Sequence, residues 1–364
     1  MIIGIPRGRR DSEYRVGMLP AGVKLLTQIG HTCFIEHDAG IGCGYNDYAY
    51  QEAGGQIAYS GDEVFGRADL ILTISPPTSE EYAWMRENLT LMGFLSLAAA
   101  NPKDIRALLD KKITAIGYEI IQDADGYLPV LYPASQAAGR MVPQVAATLA
   151  QNNFGGKGIL LGGGPGVPPA EIVIIGAGTA GNAAAQTFLG MGASVYMLDH
   201  NLKRLQELDF LYHGRIITMV AHDFNIAKVC RFADVLIGAV LVPGSKSPIL
   251  VTREMVRSMR PQSIIIDLSI DQGGCIETSR PTTHSSPTFV DEKIIHYCVP
   301  NMTSVLGRSG THSINNAIWP FISLIATLGQ EKAISDNPSL QRGIYTHLGK
   351  IIHPLLKIAY ESRR

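Results

Sequence analysis

A glycine-rich turn near the middle of the chain is the clearest chemical signal in this sequence of 364 residues. Residues 171–181 read EIVIIGAGTAG, an apolar run followed by glycines spaced G-x-G-x-x-G. In a dinucleotide-binding turn the first glycine permits the tight bend, the second lets the backbone approach a pyrophosphate, and the third lets helix and strand pack closely. The start of the next helix offers N–H groups and partial positive charge to phosphates. The predicted cofactor-binding residues here are Gly176, Gly178, Thr179, Ala180 and Gly181.

An acidic residue at the end of the next apolar run indicates which dinucleotide is bound. Asp199 follows the run 194–198 and lies 199 − 176 = 23 residues after the first glycine. A carboxylate at this place accepts hydrogen bonds from the adenosine ribose and repels a 2′-phosphate, which favours NAD over NADP. Lys203 and Arg204 lie nearby and weaken that preference slightly. Strand, glycine turn, helix, second strand and acid together predict an NAD(H) site.

These residues must be positioned by strands and helices, and the sequence contains two alternating series of them. The first series covers residues 1–130, and the second follows a predicted helix over 134–153 and a segment, 155–170, with seven glycines and three prolines. Such alternation predicts a mainly parallel sheet covered on both faces. Strands are predicted over 2–5, 32–36, 69–74, 91–95 and 114–119 in the first series, and over 172–175, 194–198, 216–220, 235–239, 264–267 and 296–299 in the second.

The later part of the chain completes both predicted domains. The strand over 235–239 leads into Ala239, Val240 and Leu241. Because the carboxyl ends of strands line the cofactor crevice in this architecture, these three residues are predicted to pass beside the adenine and ribose. After residue 308 the chain is predicted to be helical, over 314–328 and 341–360, and to return to the first domain.

Composition excludes several classes of function. The formal charge is 31 − 32 = −1, and no basic patch of the kind that binds nucleic acid is visible. A hydrophobic fraction of 46% with only 17% charged residues favours a large core and buried subunit contacts. The five cysteines are scattered and never spaced as CxxC, so we predict no metal site, no disulfide framework and a reducing, cytoplasmic location. The uncharged stretch 172–198 is broken by glycine and amide residues, which argues against a membrane span.

From end to end the chain resembles the alanine dehydrogenase family, whose relatives include the NAD-binding subunit of proton-pumping transhydrogenase. The resemblance implies two doubly wound, Rossmann-like α/β domains joined by long helices, with the active site in the cleft between them. Residues 1–130 and 305–364 would form a discontinuous substrate domain, and 134–302 the NAD domain. The resemblance also implies a homo-oligomer, either a dimer or a hexamer. The matching stretches are GIP (4–6), EYRV (13–16), PAGV (20–23), ASQAAGRM (134–141), GILLGGGPGV (158–167), IGAGTAG (175–181), ADVLIGAVLVPG (233–244), IDQGG (270–274), SRPTTHSSPTF (279–289) and CVPNM (298–302).

The family's chemistry is reversible oxidative deamination, in which NADH reduces the imine formed from pyruvate and ammonia. By the match in EYRV, Arg15 corresponds to the family's carboxylate-binding arginine, whose fork suits bidentate pairing with a carboxylate. By the match in IDQGG, Asp271 corresponds to the acid beside the substrate amine. The resemblance also implies that Ser135 contacts the cofactor phosphates and that Asn301 and Met302 border the nicotinamide.

Two positions depart from the family pattern. Ser75 stands where the family has a lysine that helps to bind the substrate, and Ser96 stands where it has a histidine that transfers protons. Serine replaces a cation in the first case and a group that titrates near neutral pH in the second. Since a positioned acid–base group contributes about 10²–10⁴ in rate, we expect ordinary alanine dehydrogenase activity to be weak or absent.

Three interpretations of these departures stay open at the level of sequence. The chain is an oxidoreductase that acts on a C=N or C=O bond of a different amino-acid-like or imine substrate, with proton transfer by Asp271 and assistance from His312 or Tyr118. Alternatively it binds NAD(H) without turnover, as a regulatory or structural protein. The third interpretation is hydride exchange between two nucleotides, as in the transhydrogenase relative, although the motifs favour the dehydrogenase branch.

Overall fold

The computed structural model describes residues 1–242 and 246–362. Pro243 and Gly244, which end the matching stretch 233–244, lie outside the described residues, as does Ser245. The final residues 363–364 of the predicted substrate domain also lie outside them. The chain divides into two compact units, one formed by Met1–Ala134 with the chain from Thr303 onward, and the other by Ser135–Met302.

The chain up to the first unit boundary alternates short strands with helices. Several helices begin at recognisable signals, such as the capping box that Thr78 and Glu81 form at the start of the fourth helix. The boundary itself falls inside a long helix, the sixth. These elements are β1 (Ile2–Ile5), α1 (Pro20–Gln28), β2 (Thr32–Glu36), α2 (Asp47–Glu52), β3 (Gln56–Ala58), α3 (Gly61–Arg67), β4 (Leu70–Leu72), α4 (Ser79–Trp84), β5 (Thr90–Gly93), α5 (Pro102–Asp110), β6 (Thr114–Gly117) and α6 (Leu131–Leu149).

The second unit repeats this alternation, and the last part of the chain adds helices and a hairpin to the first unit. In the second unit lie β7 (Glu171–Ile175), α7 (Thr179–Gly190), β8 (Ser194–Asp199), α8 (Leu202–Tyr212), β9 (Ile216–Val220), α9 (Asp223–Cys230), β10 (Val235–Gly238), α10 (Arg253–Arg257), β11 (Ile264–Asp267), β12 (Thr288–Asp291) and β13 (Ile294–Tyr297). They are followed by α11 (Gly307–Leu328), α12 (Gln330–Asp336), α13 (Pro338–Arg342), β14 (Ile344–His347), β15 (Lys350–Ile351) and α14 (Pro354–Glu361).

Each unit is built on one sheet, and the two sheets share a strand order. The first sheet runs β15-β14-β6-β5-β4-β1-β2-β3 and the second β12-β13-β11-β10-β7-β8-β9. Within both, six strands are parallel and follow the doubly wound order 3-2-1-4-5-6. The strand order therefore reverses between β1 and β4 in one unit and between β7 and β10 in the other. This confirms the predicted fold of two Rossmann-like α/β sheets.

The sheets are buried on both faces, which explains the continuous apolar runs in the sequence. In β4, Leu70 and Leu72 pack into one core cluster, whereas Ile71 between them packs into the cluster on the opposite face. In β7, Ile172 and Ile174 alternate with Val173 in the same way. Such two-sided burial is typical of parallel sheets covered by helices.

The uncharged stretch 172–198 folds as β7, α7 and most of β8. Its apolar side chains belong to the sheet and to the helix that covers it. Among the helices of the described residues, none has both the length and the apolar content that crossing a bilayer requires.

Several element predictions are wrong. The helix predicted over 341–360 is instead α13, the β14–β15 hairpin and α14. Leu348 and Gly349 adopt φ of 47° and 78° and turn the chain, so that β15 pairs antiparallel with β14, which itself pairs antiparallel with β6. A Tyr345 flanked by β-branched residues fits that pleated position better than a helix. The strand predicted over 296–299 lies at 294–297, and β3 and β12 were not predicted.

Candidate functional site

The three glycines of the turn after β7 each have a distinct steric reason. Gly176 has φ of 105°, and a Cβ on it would lie 2.3 Å from the carbonyl oxygen of Ala239. A Cβ on Gly181 would lie 2.0 Å from the carbonyl oxygen of Gly176. By contrast, a Cβ on Gly178 would have no described atom within 4 Å. The first and third glycines are thus required by the protein itself, whereas the second leaves open space against the backbone.

The open space at Gly178 lies at the start of α7. Gly178 is the residue that precedes the first turn of this 12-residue helix, and Thr179 and Ala180 are its first two residues, both partly exposed. The first N–H groups of a helix have no acceptor within the helix and carry partial positive charge. A phosphate group fits such a position, and the missing Cβ of Gly178 allows it to come close to the backbone.

Asp199 ends β8, next to this turn. Its carboxylate accepts the backbone N–H of Ala177 at 2.8 Å and that of Asn201 at 2.8 Å. Asp199 therefore holds the glycine turn in place, a role that the sequence analysis did not foresee. Arg204, which weakened the predicted preference for NAD, donates from Nε to the Ala177 carbonyl at 2.9 Å and pairs through Nη1 with Glu207.

Ser135 lies within the first turns of α6. It is the fifth residue of the helix and is partly exposed. One turn later, a Cβ on Gly139 would lie 2.2 Å from the carbonyl oxygen of Ala180. The helix that carries Ser135 therefore packs directly on the first turn of α7, and the glycine in ASQAAGRM is the sequence signal for this close approach.

The residues after β10 are joined to the turn that contains Asp271. The N–H of Ala239 continues the sheet by bonding to Ile175, and the N–H of Val240 donates to the Ser269 hydroxyl at 3.0 Å. Leu241 is half exposed, and the chain is described again from residue 246. One hydroxyl group thus links the predicted adenine-side loop to the predicted catalytic turn.

A buried acid shapes that turn. Asp267, at the end of β11, is 2% exposed and accepts the N–H groups of Ser269 at 3.0 Å and Cys275 at 3.1 Å. Burial raises the pKa of the Asp267 carboxyl. Only the second aspartate of IDLSIDQGG was predicted as a site residue, and the first fixes the backbone from which Asp271 projects.

Two residues with separate predicted roles lie together. Asp271 is the predicted proton-transfer residue, and Asn301 is predicted to border the nicotinamide. The Asp271 carboxylate accepts the backbone N–H of Asn301 at 2.9 Å. Asn301 adopts φ of 50°, a conformation that asparagine tolerates better than most residues. Asp271 is exposed, whereas Met302 is buried in the core beneath. The second unit therefore presents a fixed, solvent-facing carboxylate.

In the first unit, Arg15 is buried and already bound to an acid. Its Nε and Nη2 donate to the two carboxylate oxygens of Glu13 at 2.7 Å and 2.6 Å, and Nη1 donates to Thr303 Oγ1 at 3.2 Å. Gly310 of α11 leaves room for the aliphatic stem, since a Cβ there would lie 2.9 Å from Arg15 Cδ. Glu13, the first letter of EYRV, was overlooked in the sequence.

The segment of Arg15 passes the carboxyl end of β4, which leads to Ser75. A Cβ on Gly17 would lie 1.9 Å from the Leu72 carbonyl oxygen. The ladder between β4 and β5 continues to Ile74, whose carbonyl accepts the Phe94 N–H at 3.3 Å. Ser75 is buried directly beyond it. Arg15 and Ser75 thus belong to the edge of the sheet where its strand order reverses, the usual place for ligands in this fold.

Ser96 lies beyond the end of the neighbouring strand β5, in a left-handed turn with φ of 45°. Glu119, after β6, holds this turn by accepting the Ser96 N–H at 2.6 Å, the Leu95 N–H at 3.2 Å and the Tyr345 hydroxyl at 2.8 Å. Burial raises the pKa of the Glu119 carboxyl. In the sequence, Glu119 could have been recognised as a site residue because it is an acid at the end of an apolar strand.

The two assisting residues considered from the sequence have different surroundings. Tyr118 is fully buried, and its hydroxyl has no hydrogen-bond partner among the described residues. His312 lies in α11, where it is exposed, with Nε2 3.3 Å from the Tyr45 hydroxyl.

Comparison with known proteins agrees with this architecture. Residues 4–138 match the family model described as alanine dehydrogenase/PNT, N-terminal domain, and residues 142–354 match the corresponding C-terminal domain. The chain is 43% identical over 362 residues to the alanine dehydrogenase of Methanococcus maripaludis, covering 99% of this chain and 97% of that protein. It is also 43% identical over 352 residues to the alanine dehydrogenase of Mycobacterium tuberculosis H37Rv, covering 97% and 95%.

Solved structures give the same result. A structure of an L-alanine dehydrogenase superposes with a TM-score of 0.94 at 37% identity and covers all of both chains. The transhydrogenase from Sinorhizobium meliloti, with a TM-score of 0.82 at 23% identity, shares the fold and covers 97% of this chain and 99% of its own. The fold and the turn after β7 define a dinucleotide-dependent oxidoreductase. The chain belongs to the alanine dehydrogenase/PNT family, whose cofactor is NAD.

Proposed function

We propose that this chain is an NAD(H)-dependent oxidoreductase that acts on a C=N or C=O bond of an amino-acid-like or imine substrate other than the pyruvate–alanine pair. In this proposal the second unit binds NAD(H) and the first binds the substrate. The observation that carries it is the presence of serine at positions 75 and 96, within a backbone framework that is otherwise complete.

The charge around the substrate residues supports a substrate that is less anionic than pyruvate. Arg15 is a cation of this region, and its fork is paired with Glu13 with both side chains almost fully buried. Ser75 supplies a neutral hydroxyl where the family resemblance implies a lysine. Truncating one partner of a buried, hydrogen-bonded charge pair costs about 2–5 kcal/mol, so the lost lysine removes much of the affinity for a small carboxylate.

The proton chemistry is assigned to Asp271 in this proposal. NAD(H) supplies the hydride when bound. Ser96 does not ionise usefully near neutral pH, so it orients substrate by hydrogen bonding and does not exchange protons. The Asp271 carboxylate is exposed and is fixed by the Asn301 N–H. It therefore holds or accepts the proton at the substrate nitrogen or oxygen.

The first experiment is to follow NADH absorbance with the purified protein. Pyruvate, glyoxylate and larger 2-oxo acids are tested with and without ammonia or a primary amine, together with carbonyl compounds that lack a carboxylate. We expect turnover of a larger or less anionic compound to exceed turnover of pyruvate. Pyruvate as the best substrate of the panel would contradict the proposal. Tight NADH binding without any turnover would favour the non-catalytic alternative.

The matched variants restore the family residues. Ser75→Lys with Ser96→His is expected to raise pyruvate reduction in the presence of ammonia and to lower turnover of the compound that the native chain prefers. Each single variant separates the two contributions. If the double variant shows no change in the ratio of the two activities, positions 75 and 96 do not determine specificity.

A further inference from the structure

Two buried serines of the second unit bind both backbone groups of one residue, Val240. The Val240 N–H donates to the Ser269 hydroxyl at 3.0 Å, and the Val240 carbonyl accepts from the Ser247 hydroxyl at 3.2 Å. Ser247 and Ser269 are 8% and 4% exposed, whereas Val240 is partly exposed. Two side chains from later in the chain therefore fix the backbone of Val240.

Both serines are also attached to the turn that carries Asp271. Ser269 lies in the same short 3₁₀ helix, Leu268–Gln272, two residues before Asp271. The Ser247 N–H donates to the carbonyl of Gln272, the residue after Asp271, at 3.0 Å. The serines therefore connect to this turn on both sides of Asp271.

These contacts close a ring of hydrogen bonds and backbone. The ring runs from the Val240 N–H to Ser269, along the chain to Gln272, through Ser247 and back to the Val240 carbonyl. Members of a hydrogen-bonded network support one another, so the loss of one contact weakens the others. We call Ser247 and Ser269 the serine bridge, because they join Val240 to the turn of Asp271.

Val240 also lies against the glycine turn after β7. A Cβ on Gly176 would lie 2.3 Å from the Ala239 carbonyl oxygen and 3.2 Å from the Val240 nitrogen. Ala239, Val240 and Leu241 are the residues predicted to pass beside the adenine and ribose. A bound cofactor that restricts this loop therefore acts on one end of the serine bridge, and Asp271 lies at the other end.

We propose that Ser247 and Ser269 are positioning residues that couple NAD(H) binding beside Val240 to the placement of the Asp271 carboxylate. This inference rests on the proposed function, in which Asp271 holds or accepts the proton. Neither serine contacts the reacting atoms, and each acts through the turn. A ligand that orders one part of a connected network lowers the cost of ordering the rest. The bridge therefore makes the carboxylate best placed when the cofactor is bound.

Amide hydrogen exchange measures this coupling without any turnover. In the wild type, saturating NADH is expected to slow exchange over residues 268–275 as well as over the glycine turn, residues 176–181. In Ser247→Ala and in Ser269→Ala, the slowing over 268–275 should fall at least about threefold, whereas the slowing over 176–181 persists. No slowing over 268–275 in the wild type, or equal slowing in the wild type and both variants, would overturn the proposal.

Ser263→Ala is the matched control for these variants. Ser263 is also a buried serine of the second unit, and its hydroxyl donates to the Ala233 carbonyl at 2.9 Å. It directly precedes β11, whereas the turn of Asp271 follows β11. Its loss should lower the thermal midpoint without changing the NADH-dependent slowing over 268–275. If Ser263→Ala reduces that slowing as much as the serine-bridge variants do, the effect is a general loss of stability and the coupling is wrong.

Steady-state kinetics test whether the bridge positions Asp271. With the compound that the native chain turns over, each serine-bridge alanine variant is expected to lower kcat about tenfold, part of the 10²–10⁴ that a positioned acid–base group contributes. The KM for NADH should stay within about threefold. Because both serines belong to one ring, the double variant should be at most about twofold slower than the slower single variant. Losses that multiply in the double variant would contradict the ring.

The two measurements separate this inference from the proposed function. If no compound is turned over, yet the slowing over 268–275 depends on the serine bridge, the coupling holds and the proposed function is wrong. If a compound is turned over, and the serine-bridge variants change neither the slowing nor kcat, the proposed function holds and the coupling is wrong.

Discussion

The two units share a strand order but differ in how their candidate residues are prepared for a ligand. In the unit 135–302, the key feature is the missing side chain of Gly178, which leaves open space beside the first turn of α7. In the other unit the candidate groups are already engaged by protein, Arg15 by Glu13 and the Ser96 N–H by Glu119.

This difference indicates how readily a cofactor site and a substrate site each accept substitutions. A cofactor site made of backbone and glycine cannot vary without losing its shape, because Gly176 and Gly181 are held by contacts within the protein. A substrate site made of side chains on independently held turns can exchange those side chains. Under the proposed function, the serines at positions 75 and 96 are changes of the second kind.

The largest expected effect concerns Asp271, a side chain of the unit 135–302 to which the proposed function assigns proton transfer. Asp271→Asn keeps an oxygen to accept the Asn301 N–H but cannot exchange a proton. With the compound that the native chain turns over, we expect the rate to fall about 10²–10⁴-fold. The NADH dissociation constant, followed by fluorescence, should stay within about twofold. Retained turnover would remove Asp271 from the mechanism.

An intermediate effect is expected at Gly178. Gly178→Ala places a methyl group in open space, so the fold and thermal midpoint should be preserved, whereas NADH affinity should fall at least about tenfold, equal to about 1.4 kcal/mol. Gly190→Ala is the matched control, because a Cβ on this last residue of α7 also has no described atom within 4 Å. Equal NADH affinity in the two variants would mean that the open space at Gly178 does not receive the cofactor.

The smallest effect is expected at Glu119, and it concerns stability. Glu119→Gln leaves one of the N–H donors of the Ser96 turn without an acceptor, which costs about 1 kcal/mol of unfolding free energy at pH 5. Because burial raises the pKa of the Glu119 carboxyl above its unfolded value, the native state retains the proton longer. The wild type's advantage in unfolding free energy over Glu119→Gln is therefore greatest below the unfolded pKa of about 4.3. It shrinks as pH rises through the folded pKa.

Urea unfolding at several pH values measures this difference. Glu63→Gln serves as the control, because Glu63 forms an exposed i,i+4 pair with Arg67 in the same unit, and its change should stay within about 0.5 kcal/mol. If the difference in unfolding free energy between wild type and Glu119→Gln widens as pH rises, the assigned direction of the pKa shift is contradicted.

The parallel strands were predicted well from the sequence, because burial on both faces requires continuous apolar runs such as 172–175. It also led to the glycine turn and Asp199, since their spacing is imposed by backbone geometry that is local in the chain. The hairpin of β14 and β15 escaped prediction because its stability comes from pairing with β6, more than 220 residues away, which no local pattern records.

The site was predicted less completely than the fold. Four residues that were not predicted accept hydrogen bonds from backbone N–H groups, and their importance depends on which turns they contact in space. They are Glu13, Glu119, Asp267 and Ser269. Asp271 and Asn301 were both selected, but their hydrogen bond joins positions 30 residues apart and could not be inferred. α6 was predicted to begin at residue 134 rather than at Leu131, because the start of this helix has no distinctive sequence signal.

The way Glu119 holds the turn at Ser96 has a consequence for how enzymes of this architecture diversify. These two contacts run to main-chain N–H groups, so the hydrogen bonds that hold the loop do not depend on which side chain residue 96 carries. Under the proposed function, substitutions at this position change reactivity while these hydrogen bonds are kept. The position is therefore a natural target for directed evolution, and a library restricted to residues 75 and 96 would explore substrate range without spending variants on repairing the fold.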